Sequence, residues 1–281
     1  MQKMPKKYYV FFTLPTLLAF VIAFFIPFLA GIYLSFTEFR TVTDASWVGF
    51  NNYILAFTDD QNFINALIFT IKFAIVSVVL INVFAFFLAY LLTRSIPGTN
   101  IFRTIFFMPN LIGGIILGYI WQLLINGILI NFGVDITFDA SYGFWGLVVL
   151  MNWQMVGYMM IIYIAGIQSI SNELIEAAKI DGANAWQILK SIIVPMVMPA
   201  VTICTFLTVA NSFKLFDQNL ALTAGAPDRA SAMLALDIFT TFYGRIGSEG
   251  VGQAKAVMFF MIVAAIVLIQ LRLTRSREVE S

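Results

Sequence analysis

"ELIEAAKIDGANAWQILKSIIVP", residues 173–195, is a polar, Ala-rich, charged interruption in a chain that is otherwise mostly oil. A loop, a catalytic site and a handle for a soluble partner are three ways to account for it. Its local chemistry predicts two short helices with a bend. Ser171 can cap a helix start, and Glu173 then lies in the first turn, where the helix dipole favours an acid. Glu176, Ala177 and Ala178 continue a strong helix-forming run. Glu176 and Lys179, three apart, can pair across one turn. Gly182 after Asp181 offers a positive-φ position where the helix can end. Trp186, Leu189 and Ile193 recur at spacings of three and four, which predicts a second helical stretch with one apolar stripe. Pro195 and Pro199 follow it.

Outward from this stretch the composition takes over. Of 281 residues, 60% are hydrophobic and 11% are charged, against roughly 25% charged in a soluble domain. The deficit points to lipid as the solvent. The net charge of +1 gives no case for a nucleic-acid surface. There is no His, the commonest acid–base and metal-binding side chain. The single Cys, Cys204, cannot form an internal disulfide, and its apolar surroundings read as those of a small buried residue.

A helix of about 20 apolar residues crosses a bilayer. Six stretches qualify, roughly 9–36, 64–92, 104–126, 144–168, 192–213 and 253–271. The first follows Lys3, Lys6 and Lys7, but its apolar run exceeds a signal-peptide core and no small-x-small cleavage site follows closely, so it reads as a retained membrane helix. With the N-terminus inside, the inner segments hold Lys3, Lys6, Lys7, Arg94, Arg103, Lys179, Lys190, Arg272, Arg275 and Arg277, ten of the sixteen basic residues. The outer loops hold Arg40, Lys214, Arg229 and Arg245, while Lys72 and Lys255 fall in or beside helices. The bias places both termini in the cytoplasm. The opening stretch then lies between the fourth and fifth helices on the cytoplasmic side.

Polar side chains inside the spans are expensive in lipid. Lys72, Asn82, Gln122, Asn152 and Gln154 are therefore expected to face the bundle interior or a pathway, with interhelical hydrogen bonding as the plainer use. Pro109 is expected to kink the third helix. Gly114 and Gly118 form a GxxxG spacing, which serves a specific dimer face or ordinary packing.

For residues 173–190 a membrane-surface helix is one use, but that role wants a basic polar face. Glu173, Glu176 and Asp181 outnumber Lys179, and the Ala-rich face is small and smooth. A close protein contact fits better, and a structural hairpin with no partner remains open. At this point the residues resemble a known family. Glu176-Ala177-Ala178, then Asp181-Gly182-Ala183, then Ile193-Val194-Pro195 is similar to the EAA motif of bacterial ATP-binding-cassette importer permeases. Gly49-Phe50-Asn51-Asn52-Tyr53 resembles a first-outer-loop motif of the carbohydrate branch. Phe213-Lys214-Leu215-Phe216-Asp217 with Leu222-Thr223-Ala224-Gly225-Ala226-Pro227 resembles its F-K-x-F-D…L-T-x-G-G-P stretch. The departures are mild: Ala226 replaces the second Gly, Leu189 stands where Phe is common, and Ser171 where Pro is common.

The resemblance, which is to the maltose, lactose and glycerol-phosphate permease type, implies an all-α membrane protein with the type I importer permease fold. It would have six transmembrane helices and a cytoplasmic coupling helix between helices 4 and 5. Residues 1–8 would be a cytoplasmic N-terminus, 9–271 the permease domain with its coupling segment at 171–191, and 272–281 a cytoplasmic tail. The implied function is a permease subunit of an ATP-driven, binding-protein-dependent sugar importer in a bacterial cell membrane, with an oligosaccharide as substrate. One chain would supply half of the pathway. The implied partners are a second related permease, two copies of a cytoplasmic ATPase and an extracytoplasmic solute-binding protein. Glu176, Ala177, Ala178, Asp181, Gly182 and Ala183 would couple to the ATPase. The sequence contains no G-x-x-x-x-G-K-[ST], so ATP and Mg²⁺ are expected on the partner and no cofactor or metal on this chain, which is not itself an enzyme.

Two other classes compete. An ion-coupled secondary carrier of a small polar solute would place ionisable residues in mid-membrane and be built from repeats. Only Lys72 and Lys255 are candidates, and no repeat relates the halves. A membrane enzyme would cluster His, Asp, Glu or Cys near a surface, whereas the acids here are spread singly. Substrate recognition by a sugar permease wants aromatic faces and amide or carboxylate hydrogen bonds. Asn152, Trp153, Gln154 and Tyr158 in the fourth helix and Asn211 in the fifth offer them.

Overall fold

The computed structural model describes residues 6–58, 61–94 and 96–275. Lys3 and Arg277, which entered the charge count, and the outermost parts of both tails lie outside them. Five helices are long and apolar enough to cross a membrane: Phe11–Leu34, Asn62–Leu92, Gly114–Phe132, Ala140–Gln168 and Glu249–Thr274. Two further helices, Ala185–Met196 and Met198–Phe213, meet at a 64° bend and together make a sixth span, fifth in chain order.

The third span departs from its expected bounds of 104–126. Helix Thr99–Phe107 stops, Met108–Leu111 forms a 3₁₀ turn, Ile112 and Gly113 are extended, and the helix restarts at Gly114. Pro109 breaks the helix instead of kinking it, because it removes a backbone donor and its ring crowds the preceding turn. The break lets helix Thr99–Phe107 cross the fourth span at Gly157, where any Cβ would strike the Phe106 backbone. The bend of the fifth span has a related cause. Pro195 lies at the end of the first helix, just after the π turn Leu189–Ile193, and Pro199 sits in the first turn of the second, where no N–H is needed.

The chain divides into two compact units, one of residues 1–63 and 238–260, the other of 64–237 and 261–281. In the first, a two-residue antiparallel ladder pairs Thr37 with Trp47 and Glu38 with Ser46. Gly49 turns at φ +60°. Asn52, buried, donates from Nδ2 to Ser35 O at 3.0 Å and Thr37 O at 2.8 Å, and Tyr53 Oη lies 2.7 Å from Ser35 Oγ. The Gly49–Tyr53 motif thus fastens the connection that follows the first span to that span's end. Lys255 is fully buried, donates to Thr241 Oγ1 at 2.8 Å and lies 5.6 Å from the Phe63 ring centroid.

The second unit is organised on the fourth span, whose Leu147, Leu150, Met151, Met159, Met160 and Tyr163 are buried. Asp139 caps this helix by accepting from Ser141 N at 2.8 Å. The Ser141 hydroxyl, then its N–H, holds the Asp139 carboxyl below the usual carboxylate range. Asn82 accepts from Tyr163 Oη at 2.7 Å, and Gln122 donates from Nε2 to Leu222 O at 3.0 Å. These two intramembrane amides serve interhelical hydrogen bonds. Lys72 is exposed on its helix, so of its two expected placements, the bundle interior and a pathway, the chain's own packing excludes the first.

The GxxxG pair also has a use inside the chain. A Cβ on Gly114 would sit 2.8 Å from Asp217 Cβ, and one on Gly118 2.6 Å from Ala221 Cβ. Helix Asp217–Leu222 lies against these glycines. The segment read as part of an outer loop is therefore tucked alongside the first turns of the helix Gly114–Phe132. Loss of both Cβ atoms is what permits the close approach.

Candidate functional site

Two places gather the residues with functional chemistry. The first is the polar stretch that interrupts the spans. Helix Asn172–Ile180 carries Glu173 in its first turn and Lys179 in its last, the arrangement a helix dipole favours. Ser171 occupies the capping position by backbone conformation, yet its side chain makes no capping bond. Among the described residues Glu176 and Lys179 form no ion pair. The helix ends as a Schellman motif: Ala183 N donates to Ala178 O at 2.9 Å, Gly182 N donates to Lys179 O at 3.1 Å, and Gly182 has φ +83°. Asn184 then opens the next helix with a capping box, accepting from Gln187 N while its own N–H donates to Gln187 Oε1. The N-x-x-Q spacing is the signal that could have shown this second start.

Exposure sorts the six expected coupling residues. Glu176, Ala177, Asp181 and Gly182 are exposed; Ala178 and Ala183 are half-buried and pack on the bundle. Ile180, 86% exposed, extends the outward face. Trp186 departs from its expected stripe. It is 69% exposed, whereas Ile188 and Ile193 are buried and Leu189 is half-buried. The second helix has a single regular turn before the wider π turn at Leu189–Ile193, so a 3.6-residue period does not carry from 186 to 193.

The second place is a cavity of about 170 Å³ in the larger unit, lined by Asn110, Gln154, Asn211, Lys214 and Gln218 with Met151, Met155 and Leu215. Gln154 and Asn211, two of the five expected pathway residues, meet here. Gln154 Nε2 donates to Ile112 O at 3.3 Å, and its Oε1 accepts from Gln218 Nε2 at 3.0 Å. Asn211 donates back to Leu207 O within its own helix, which leaves its Oδ1 as a free acceptor geometry on the cavity wall. The other three lie elsewhere. Asn152 donates to Val148 O at 2.8 Å and its enclosed Oδ1 has no partner. Trp153 stacks edge-on against Trp121 at 5.8 Å, and Tyr158 lies 6.4 Å from the Phe107 ring.

Asn110 and Gln218 were not singled out in the sequence, and Lys214 entered only through the charge count and the F-K-x-F-D stretch. Asn110 reaches the cavity because the Pro109 break turns the backbone there. Lys214 and Gln218 reach it because their segment tucks inward.

A knot of hydrogen bonds holds that segment. Buried Asn219 donates to Thr223 Oγ1 at 3.1 Å and Ser231 O at 2.9 Å, and its Oδ1 accepts from Met233 N at 2.8 Å. Ser231 Oγ bonds Ala226 O at 2.6 Å, Thr70 Oγ1 accepts from Leu234 N at 2.9 Å, and Arg229 pairs with buried Asp237 at 3.2 Å. Ala224 and Gly225 take the left-handed conformations, whereas Ala226 does not. An alanine in place of the second glycine therefore brings no backbone strain.

With this geometry in place, the comparisons with known proteins are direct. Residues 97–276 match the family described as binding-protein-dependent transport system inner membrane component. The chain is 47% identical, over 97% of its length and 96% of the relative, to the probable starch degradation products transport system permease protein AmyD of Thermoanaerobacterium thermosulfurigenes. It is 28% identical, over 99% of both chains, to the multiple sugar-binding transport system permease protein MsmF of Streptococcus mutans. Its fold is similar to a chain of a bacterial ABC transporter involved in alginate import, with a TM-score of 0.80 at 19% identity and 96% of each chain covered. The chain belongs to the binding-protein-dependent transport system inner membrane component family, as a multi-pass permease subunit of an ATP-binding-cassette importer.

Proposed function

We propose that this permease carries a neutral oligosaccharide of the kind released from starch. The amide-lined cavity supports the reading. Asn110, Gln154, Asn211 and Gln218 present donors and acceptors that match hydroxyl groups, and Lys214, the one charged residue in the lining, adds an ammonium donor that a sugar hydroxyl oxygen can accept. Met151, Met155 and Leu215 supply the apolar surface on which a sugar ring can rest. The relatives named for starch degradation products and for multiple sugars point the same way.

In this reading one chain supplies half of a pathway and a second related permease the other half. The exposed face of helix Asn172–Ile180, with Glu176, Ala177, Asp181 and Gly182, docks on one of two cytoplasmic ATPase subunits. ATP and Mg²⁺ act on those subunits. A solute-binding protein delivers the sugar from outside, and both termini lie in the cytoplasm, as the excess of Lys and Arg on that side favours. The 64° bend at Val197 links the docking segment to the wall that carries Asn211. Movement of the short helix therefore bears directly on the cavity.

The test is maltotriose uptake by proteoliposomes holding the co-purified assembly and its binding protein. Uptake should require ATP inside, and Asn211→Leu should lower it at unchanged assembly yield. ATP-independent maltotriose uptake, or full activity of the variant, would reject the reading.

A further inference from the structure

A larger cavity, about 840 Å³, opens where the second and fourth spans end and the bent fifth span begins. Its polar wall holds Tyr90, Thr93, Arg94, Gln168, Asn172 and Lys179. Two cations and no carboxylate line it, and among the described residues neither cation has a carboxylate partner. Arg94 is oriented by Tyr90, whose hydroxyl accepts from a guanidinium nitrogen at 2.7 Å and whose ring lies 4.6 Å from the guanidinium carbon. A guanidinium has five N–H donors, so most remain available.

Helix Asn172–Ile180 turns its basic side to this space. Asn172, Ile175 and Lys179, at spacings of three and four, form the stripe that lines the cavity. Glu173 and Glu176 do not line it. The other wall is apolar, with Ile170, Ile188 and Ile193 buried behind it. A cation pair beside an isoleucine floor, at the ends of three membrane helices, suits an anionic headgroup attached to an apolar body.

We propose that this cavity binds a phosphate-bearing anion, and that its source is the headgroup of an anionic membrane phospholipid. Arg94 and Lys179 hold the phosphate, Asn172 and Thr93 add neutral donors, and the isoleucines receive the glycerol ester end. The ligand would lie behind helix Asn172–Ile180, on the side away from Glu176. The proposal does not depend on which solute is carried.

The full chain, purified with its accompanying subunits and stripped of lipid, is titrated with dioleoyl-phosphatidylglycerol, dioleoyl-phosphatidylcholine or glucose 1-phosphate. Bound species are read by native mass spectrometry. Phosphatidylglycerol should be retained in preference to phosphatidylcholine. Arg94→Gln with Lys179→Gln should weaken that retention about 30-fold, two charges contributing about fivefold each. Arg94→Lys with Lys179→Arg keeps both charges and should hold the lipid, which separates lost charge from lost fold. Binding of glucose 1-phosphate that the Gln variant loses, without lipid retention, supports the phosphate site and assigns it a soluble source. Equal retention of the two lipids with no charge-dependent glucose 1-phosphate binding overturns the proposal, as does lipid retention that the Gln variant leaves unchanged.

Discussion

Gln218 Nε2 donates to Gln154 Oε1 at 3.0 Å, and Gln154 Nε2 donates onward to Ile112 O at 3.3 Å. One chain of amides thus ties three pieces together: the inward-tucked helix Asp217–Leu222, the fourth span, and the backbone at the Pro109 break. The same amides form a wall of the small cavity. Their hydrogen bonds hold the site's shape.

The Gln154–Gln218 bond should be measurable by a double-mutant cycle. Gln154→Met and Gln218→Met each leave one amide without its partner. The double variant removes both, so the losses should fall short of additive by about 1 kcal/mol, the scale of hydrogen bonds between membrane helices. Thermal unfolding midpoints in detergent provide the comparison, and strict additivity would show that the bond contributes nothing.

Gly118 and Ala221 should behave as a steric pair. Gly118→Ala places a Cβ 2.6 Å from Ala221 Cβ and 3.1 Å from Gln218 O. Overpacking of this kind destabilises by about 1–3 kcal/mol. Ala221→Gly in the same chain removes the closer contact and should recover most of the loss. If Gly118→Ala has no effect on the unfolding midpoint, helix Asp217–Leu222 does not rest on the third span as described.

Gly182 tests the docking segment through backbone conformation alone. Its φ is +83°, and a Cβ there would meet nothing within 4 Å. Gly182→Val should cost on the order of 1 kcal/mol or more and shift the exposed face of helix Asn172–Ile180. Gly182→Asn, which tolerates the left-handed region, should stay near the parent. ATPase co-purification and binding-protein-stimulated ATP hydrolysis should fall for Val and persist for Asn, at equal membrane abundance. Equal coupling in the Val variant would reduce the segment to a loop.

Orientation can be read by thiol labelling in a background where Cys204 is replaced by Ala. Asp139→Cys precedes the fourth span and should react with an impermeant maleimide applied from outside, whereas Asn100→Cys, before the third, should react only after the membrane is opened. The inverse pattern would place both termini outside.

The sequence by itself determined the solvent, the number of crossings and the local ends of helices. Long apolar runs are a one-dimensional signal, and Gly182 after Asp181 marks a positive-φ stop because that preference is local to the backbone. The exposed Glu176–Gly182 surface was legible for the same reason: a charged, Ala-rich helix has no apolar stripe wide enough to bury on all sides. What only the tertiary structure decided is which distant segments share space. Helix Asp217–Leu222 reads as part of a loop until the bare backbone at Gly114 and Gly118 is seen to receive it. Asn110, Gln154, Asn211, Lys214 and Gln218 come from four chain segments and meet only once the Pro109 break and that inward tuck are in place. Lys72 shows the same limit from the other side. Its charge is plain in the sequence, but its exposure depends on the helix rotation that packing sets. Trp186 shows it again, since a single π turn removes the period that would have placed it inside.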